Sequence, residues 1–469
     1  MQLQQLWQGI KIATNRNLLF FVGSILFALA MTFLLADASF TKIQNAVLFL
    51  LFFAISLWVT EAIPPFSVSI LIVGFLVFVM GKSEAYDAMK YLQTWSDSVI
   101  WLFLGGFFLA EAMKKTQLDV LLLKAVLPKF GQRPTSVLLG LMLLTGVLSM
   151  LMSNTATTAM MIAAITPLFT TLDKKSNLGR ALLLGIPAAA SVGGMGTIIG
   201  SAPNAIAVGA LEKMGYPISF LDWMIIGMPL ALLLLFIFWR VLVQKYKVAQ
   251  EQHLDLSFLQ QMQVAELSPK EYLHRWIVIV TLVVTLFFWL TSKWLNVPVA
   301  AASGIPIVVL TVLGILDGKD IRQLPWDTLM LVAGGLALGL AIQEQRIAIH
   351  FVEQISHIQV NFWSLLVLFG FITMLLANFM SHTAATTILI PMGVSLLAMV
   401  NGNGDVNPVV LPLVIGLSAS CALFLPVSTP PNAIAFSTGL VQQSEFRLGG
   451  VVVGLLGPVL SILWVQMLY

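Results

Sequence analysis

Residues 152–159 read MSNTATTA, and residues 380–387 read MSHTAATT. Each stretch places hydroxyl, amide or imidazole side chains in the middle of a long apolar block, 135–172 in the first case and 362–397 in the second. A bilayer core offers no partners to polar groups, so irregular polar segments persist there only where protein or a water-filled cavity surrounds them. These two similar clusters therefore indicate where the chain departs from simple membrane-spanning helices.

The composition places the chain among membrane proteins. Of its 469 residues, 59% are hydrophobic and 10% are charged, whereas a soluble globular protein carries roughly 25% charged residues. The mean hydropathy is +0.95. Apolar runs of about 18 residues or more recur along the chain, and each can cross a bilayer core of about 30 Å. Alternating segments of about ten residues, which are typical of a β-barrel, do not occur. We predict an all-α polytopic membrane protein.

The apolar runs predict a series of spans. We interpret the first as a span and not as a signal peptide, because no cleavage site of small residues follows it. Each of the two interrupted blocks is compatible with two full spans or with one re-entrant hairpin, and both return the chain to the side it left. The continuous runs are 18–36, 45–62, 65–81, 98–113, 180–207, 223–242, 276–294, 299–316, 327–342, 409–440 and 449–468.

The basic residues predict the orientation. With the N-terminus in the cytoplasm, most of the 24 Lys and Arg residues fall in cytoplasmic connections, as the positive-inside rule requires. The C-terminus then lies outside, and the long polar connection 243–275 is cytoplasmic and links two halves of the chain. The basic residues that remain outside are Lys42, Lys82, Lys90, Lys213, Lys293 and Arg346.

The two halves repeat at nearly the same offset, which is 229 residues for a glycine pair and 228 for two other landmarks. The paired landmarks are Gly105-Gly106 with Gly334-Gly335, Ser153 with Ser381, and PNAIA at 203–207 with PNAIA at 431–435. An odd number of predicted spans separates the paired elements, so the second copy is expected to be inverted relative to the first. Inverted repeats with a binding site at their interface are the architecture of secondary transporters.

Each half also carries a stretch that is expected to interrupt a helix. Residues 191–209 read SVGGMGTIIGSAPNAIAVG, and residues 421–439 read CALFLPVSTPPNAIAFSTG. Glycine costs about 1 kcal/mol in a helix interior, and proline breaks the hydrogen-bond ladder. We expect two broken helices whose interruptions meet the two polar clusters. Helix N-termini directed at that point would favour an anion, and the tip oxygens would favour a hard cation such as Na⁺.

The sequence lacks the motifs on which other functional classes depend. It contains no HExxH motif, Walker loop, CxxC motif or pair of intramembrane aspartates, so we predict that the protein is not an enzyme or an ATP-driven pump. The single cysteine, Cys421, excludes an internal disulfide. The net charge of +3 gives no indication of nucleic-acid binding. An ion channel with a continuous pore remains an alternative, which saturable uptake would distinguish from a transporter.

The hairpin tips, together with the motifs GTxxGSxPN (196–204) and PVxTPPNAI (426–434), resemble those of the divalent anion/sodium symporter family of carboxylate transporters. The resemblance covers essentially the whole chain. It implies an inner (plasma) membrane homodimer with about eleven spans, two re-entrant hairpins and an elevator-like movement. It also implies di- or tricarboxylate substrates such as succinate, malate, fumarate or citrate, with sulfate not excluded. The implied division is scaffold at 1–134 and 276–361, mobile transport part at 135–242 and 362–469, and a connection at 243–275.

The resemblance also implies site residues. A first Na⁺ site would be formed by Ser149, Ser153, Asn154 and Gly200, and an altered second site by Met380, His382 and Ser428. The substrate would contact Asn154, Thr155, Ser201, His382, Thr383, Thr429 and Pro430.

The second half departs from the symporter pattern. His382 stands where the symporters have asparagine, and Ala377 stands where a hydroxyl ligand is expected. Histidine in this place is typical of the family's exchanger branch, and a protonated imidazole could replace a bound Na⁺ as a positive charge. We expect Na⁺-coupled dicarboxylate uptake with at least one Na⁺ site, and Na⁺-independent dicarboxylate exchange remains open as the alternative.

Overall fold

The computed structural model describes residues 2–37, 39–82, 87–171, 176–248, 268–347, 361–400 and 406–469. Within these ranges the chain forms helices and contains no strand, which confirms the predicted all-α class. Most of the predicted connection 243–275 lies outside the described residues.

The first half contains eleven of the α-helices formed by the described residues. They are α1 (Gln2–Leu35), α2 (Lys42–Thr60), α3 (Pro65–Met80), α4 (Met89–Gln93), α5 (Ser98–Lys115), α6 (Leu118–Val126), α7 (Pro134–Ser149), α8 (Asn154–Thr171), α9 (Asn177–Gly193), α10 (Ala202–Lys213) and α11 (Phe220–Lys245). Short 3₁₀ turns follow α4, α6 and α9, at Thr94–Ser96, Leu127–Phe130, Gly194–Gly196 and Ile198–Gly200.

The second half follows the same order with fewer short helices. Its described helices are α12 (Pro269–Leu295), α13 (Val299–Val312), α14 (Gly318–Arg322), α15 (Trp326–Glu344), α16 (Phe362–Leu376), α17 (His382–Val400), α18 (Val410–Ala419), α19 (Pro430–Ser437) and α20 (Arg447–Leu468). A 3₁₀ turn at Gln443–Phe446 leads into the last helix.

Eight helical segments of the described chain are long and apolar enough to cross a membrane. They are Arg16–Leu35, Lys42–Thr60, Met89–Lys115, Asn177–Gly196, Phe220–Lys245, Pro269–Leu295, Trp326–Glu344 and Gln443–Leu468. Two predicted spans, 65–81 and 299–316, form shorter apolar helices. The second ends at Val312 because Gly314, with φ of 67°, turns the backbone out of the helix. The number of about eleven spans stays a prediction.

The runs 180–207 and 409–440 are each divided into two helices. α9 ends at Gly193 and α10 begins at Ala202, while α18 ends at Ala419 and α19 begins at Pro430. An asparagine of the repeated PNAIA motif closes each interruption. Asn204 Nδ2 donates to the carbonyls of Gly194 and Thr197, both at 2.8 Å. Its counterpart in α19, Asn432, donates to two carbonyls of the second break at 3.1 and 3.4 Å.

The two interrupted apolar blocks form helical hairpins, α7–α8 and α16–α17. The serine at each tip caps the second helix of its hairpin: Ser153 Oγ accepts from the backbone N–H of Ala156 at 3.2 Å, and Ser381 Oγ accepts from that of Ala384 at 3.1 Å. Such caps satisfy N–H groups that a helix start leaves without partners. The local structure is therefore the same in both halves although the following residue differs.

The repeated glycine pairs bring helices into close contact. A Cβ on Gly105 of α5 would lie 2.8 Å from the carbonyl oxygen of Ser303 in α13. A Cβ on Gly334 of α15 would lie 2.3 Å from Cβ of Ser69 in α3. Each distance is shorter than real Cβ atoms allow, so glycine is required for both contacts. α5 and α15 thus occupy equivalent places in the two halves.

Candidate functional site

A cavity of about 490 Å³ lies where the hairpin tips and the helix breaks meet. Its volume falls within the range of roughly 300–1,000 Å³ that is usual for ligand sites. From these four elements it is lined by Ser153, Asn154, Thr155, Ser191, Ile199, Gly200, Ser201, Ala202, Pro203, Ser381, His382, Thr383, Ser428, Thr429, Pro430 and Pro431. The structure therefore brings the two polar clusters together, along with every residue predicted to contact substrate.

The opposite wall comes from helices that sequence reasoning did not assign to the site. It is formed by Pro65, Phe66, Phe103, Phe107, Pro325, Asp327, Thr328 and Leu331, from α3, α5, α15 and the residue before α15. The glycine pairs marked α5 and α15 as equivalent elements of the repeat. Nothing in the local sequence indicated that other residues of these helices face a cavity. This wall is mainly apolar.

Four helices begin at the cavity. The first residues of α8, α10, α17 and α19 all line it, together with the residue that precedes each helix. A helix N-terminus carries about half a positive charge, and it presents free backbone N–H groups except where proline occupies the first positions, as Pro430 and Pro431 do in α19. No Lys or Arg belongs to the lining as the structure describes it. The arrangement therefore favours an anion through helix dipoles and hydroxyl groups rather than through fixed positive charges.

The hydroxyl groups at these helix starts are used differently. Thr429 Oγ1 accepts from the N–H of Asn432 at 3.1 Å and so caps α19. Ser201 occupies the equivalent position before α10 and makes no side-chain capping bond. The hydroxyl group of Ser201 is thus available to a ligand. The Thr429 hydroxyl accepts the capping bond, and its O–H can still donate to a ligand.

The predicted first cation site forms a cluster of polar atoms behind the first hairpin tip. Ser149 Oγ lies 2.6 Å from Asn154 Oδ1. With its amide reversed, Asn154 places nitrogen at this point and donates to Ser149 Oγ at 2.6 Å, Ala190 O at 3.1 Å and Gly200 O at 3.2 Å. With Asn154 Oδ1 at this point instead, four oxygens converge: Asn154 Oδ1, Ser149 Oγ, Ala190 O and Gly200 O. A hard cation between them could be coordinated by all four. These residues therefore fit a Na⁺ ion. Ser153, also predicted as a ligand, uses its hydroxyl to cap α8.

Glycine is required on both sides of this cluster. A Cβ on Gly194 would lie 2.6 Å from Asn154 Oδ1 and 2.8 Å from Gly200 O. A Cβ on Gly200 would lie 2.6 Å from Gly194 O and 3.0 Å from the carbonyl oxygen of Ser149. The glycine-rich sequence of the first break thus allows backbone carbonyls to approach the hairpin tip.

The set predicted for the second cation site is arranged differently. The His382 imidazole hydrogen-bonds to the backbone of Ala422, and its buried Nε2 has no hydrogen-bond partner among the described residues. Ser428 Oγ donates within its own break, to Leu425 O at 2.7 Å and more weakly to Ala422 O at 3.3 Å. Met380 is buried and does not line the cavity. The described contacts of this set include no counterpart of the cluster around Asn154.

The helices, the paired interruptions and the central cavity define a polytopic membrane transporter. Residues 15–469 match the family model described as the sodium:sulfate symporter transmembrane region, and the chain belongs to this family. The predicted membership of the divalent anion/sodium symporters is thereby confirmed.

Comparisons with individual proteins agree with this assignment. The chain is 31% identical over 447 residues to the sodium-dependent dicarboxylate transporter SdcS of Staphylococcus saprophyticus, a match that covers 88% of this chain and 83% of that protein. It is 31% identical over 460 residues to an uncharacterized transporter of Haemophilus influenzae, with 94% of each chain covered. The fold is similar to the crystal structure of the Alcanivorax borkumensis YdaH transporter, with a TM-score of 0.58 and 13% identity, over 86% of this chain and 99% of that chain.

Proposed function

We propose that the protein carries dicarboxylates across the membrane together with Na⁺. The observation that carries this proposal is the convergence of four helix N-termini on a cavity whose described lining contains no Lys or Arg. A small dianion such as succinate, malate or fumarate can place one carboxylate against the helix starts of each half, and citrate belongs to the same chemical class. The names of the SdcS relatives support a dicarboxylate substrate and Na⁺ dependence.

Na⁺ at the first site would couple ion binding to substrate binding. Ser149 and Asn154 belong to the first hairpin, and Gly200 belongs to the first helix break. A cation held between them draws the hairpin tip toward the break, and Asn154, Thr155 and Ser201 then face the substrate in one arrangement. Because the ion stabilises the arrangement that binds substrate, each ligand raises the affinity for the other. The ion also reduces the repulsion between the anion and the backbone carbonyls nearby.

The movement that completes transport would be elevator-like. In this proposal the two hairpins and two broken helices, with α11 and α20, move as one body against a scaffold at 1–134 and 276–361. The mainly apolar wall from α3, α5 and α15 supports this division, since a surface without directional bonds to the ligand allows sliding. The proposal includes about eleven spans with two re-entrant hairpins, a homodimer, and insertion in the plasma membrane with the N-terminus in the cytoplasm.

Na⁺-independent dicarboxylate exchange is the second candidate. Two residues of the second half favour it: Ala377 stands at the position equivalent to Ser149, and His382 at the position equivalent to Asn154. Their described contacts include no cluster of oxygens that could bind a cation. Counterflow in proteoliposomes distinguishes the two mechanisms. Uptake that needs internal substrate and is indifferent to Na⁺ would reject symport, whereas Na⁺-driven accumulation into vesicles without internal substrate would reject obligatory exchange.

The substrate class is tested by competition. Uptake of radiolabelled succinate into proteoliposomes is measured in a Na⁺ gradient with an excess of unlabelled malate, fumarate, citrate or sulfate outside. We expect the dicarboxylates to compete most strongly, because two carboxylates can engage the helix starts of both halves. Inhibition by sulfate alone would place the protein among sulfate carriers instead.

A further inference from the structure

In the first half, a side chain of the helix break is bonded to the hairpin tip. Thr197 Oγ1 donates a short hydrogen bond to the backbone carbonyl of Met150, and it also accepts from the N–H of Gly200 at 3.1 Å. The hydroxyl group of Thr197 is buried. The bond joins the first tip to the same segment that contributes Gly200 to the candidate Na⁺ site.

In the second half, the side chain that makes the equivalent connection belongs to the hairpin tip and not to the helix break. Asn378 holds the tip position that corresponds to Met150 in the repeat, and its Oδ1 accepts from the backbone N–H of Phe424 at 2.8 Å. Its Nδ2 donates to the carbonyl of Met374, one turn earlier in the same hairpin, also at 2.8 Å. Asn378 is 5% exposed and Phe424 is 38% exposed, so both bonds are partly buried. Beside it, the imidazole of His382 bonds to the backbone of Ala422 in the same break.

We propose that Asn378 is a positioning residue that joins the second hairpin to the second helix break in a half that lacks the cation cluster of the first half. This inference rests on the proposed function. Ala377 and His382 remove the oxygens that a second Na⁺ would need, yet Thr383 and Thr429 must still face the substrate together. Asn378 supplies the connection through its bond to Phe424, and its bond to Met374 holds the side chain in place for that contact. The second half is thus organised for the carboxylate without a second ion, and one Na⁺ accompanies each substrate.

Substitutions at Asn378 and at Thr197 are therefore expected to weaken the binding of different ligands. Removing the connection at Asn378 loosens the second half and weakens substrate binding, while the first-half Na⁺ cluster remains intact. Removing the hydroxyl group of Thr197 loosens the segment that carries Gly200 and weakens Na⁺ binding first. A purely structural role for both residues would lower stability without separating the two ligands.

The test compares Asn378→Ala, Asn378→Ser and Thr197→Val with the wild type. Serine is chosen because it keeps a small polar side chain in the turn after α16, while its shorter side chain cannot reproduce the bond to Phe424. The protein is purified, and its thermal shift is recorded on adding NaCl, with choline chloride as the control, and then succinate. The Na⁺ and succinate dependence of uptake into proteoliposomes is measured in parallel.

We expect a Hill coefficient of about one for Na⁺ in the wild type, the value for a single bound ion. Both Asn378 variants are expected to raise the KM for succinate about tenfold, as loss of a buried hydrogen bond does, and to leave the NaCl-induced thermal shift unchanged. Thr197→Val is expected to raise the Na⁺ concentration needed for half-maximal uptake.

Two outcomes would overturn the inference. The first is an Asn378→Ser variant whose NaCl-induced shift falls as much as its response to succinate, or whose KM for succinate equals that of the wild type. The second is a Hill coefficient of about two in the wild type. A wild type stabilised by neither NaCl nor succinate would instead remove the proposed function, and this inference with it.

Discussion

Two asparagines beside the first helix break have different surroundings. Asn204 is fully buried, and its amide donates to two backbone carbonyls that shape the break. Asn154 lines the cavity and contacts Ser149 on its inner side. The first side chain holds the backbone in place, whereas the second is placed to contact ligands.

We predict that Asn154→Ala abolishes Na⁺-dependent uptake while the protein stays folded. The substitution removes the oxygen shared by the candidate cation cluster and the cavity. Asn204→Ala is the matched comparison, and it should lower the free energy of unfolding, because an unpaired buried carbonyl costs about 1–3 kcal/mol. Uptake into proteoliposomes and thermal unfolding are measured for both variants. Wild-type uptake by Asn154→Ala would contradict the site assignment.

The second residue-scale prediction concerns coupling. His382→Asn restores the amide that Asn154 provides in the first half, and we expect uptake to become more strongly dependent on Na⁺. The double variant Ala377→Ser/His382→Asn should increase this dependence further, because it also restores the hydroxyl ligand. Na⁺ activation curves at fixed succinate concentration provide the measurement. An unaltered response to Na⁺ in both variants would remove His382 from the coupling mechanism.

At the scale of elements, the close approach of the first hairpin and the first break depends on small residues. We predict that Gly194→Ala eliminates Na⁺ stimulation of uptake, since its Cβ would lie 2.6 Å from Asn154 Oδ1. Gly74→Ala in α3 is the control, because its Cβ would meet nothing within 4 Å and alanine favours a helix by up to about 1 kcal/mol. Equal Na⁺ stimulation in the two variants would show that the Gly194 contact does not bear on cation binding.

The repeated elements were accessible to sequence reasoning because their signals are local. Glycine and proline interrupt helices wherever they cluster, so the breaks between α9 and α10 and between α18 and α19 could be predicted from 191–209 and 421–439. The interruptions of the blocks 135–172 and 362–397 were predicted from their polar clusters, while two full spans and one hairpin both remained open for each block. The predicted span 299–316, by contrast, ends as a helix at Val312, because hydropathy does not show where a helix stops.

Features that depend on tertiary packing were not predicted. Phe103, Phe107 and Asp327 line the cavity only because α5 and α15 lie against the broken helix and the hairpin tip. Asn378 was not singled out in the sequence, because its bond to Phe424 joins segments that are far apart in the chain. Ser153 was predicted as a Na⁺ ligand and Ser381 only as its counterpart in the repeat, and their capping bonds became clear only from the backbone geometry.

At the scale of the whole molecule, polar contacts join the proposed scaffold to the proposed transport part. Ser98 Oγ of α5 donates to Glu212 Oε2 of α10 at 2.7 Å, and Lys293 of α12 pairs with Asp222 of α11 at 2.6 Å. The predicted topology places these contacts at the outer side. Asp327, an exposed residue of the cavity lining, belongs to the start of α15, which the same topology places at the cytoplasmic side. In that predicted topology, these positions correspond to a conformation that is closed to the outside.

We therefore predict that linking Ser98→Cys to Glu212→Cys stops transport. The pair is introduced in a Cys421→Ala background and joined by a short bifunctional thiol reagent that a reductant can cleave. Uptake should fall on linking and recover on reduction, because the two helices must separate in the elevator movement. Lys90→Cys with Glu344→Cys is the control, since this pair, whose native side chains lie 2.5 Å apart, joins α4 and α15 within the scaffold. Unimpaired uptake by the linked Ser98–Glu212 pair would contradict the proposed movement.

In the proposed function, the converging helix starts hold a dicarboxylate whose entry is driven by Na⁺. The most direct test is uptake of radiolabelled succinate into proteoliposomes that contain no internal substrate, with an inward Na⁺ gradient or with K⁺ in its place. We predict saturable accumulation above the external concentration in the Na⁺ gradient and little uptake in K⁺. Equal uptake in the two conditions would contradict the claim.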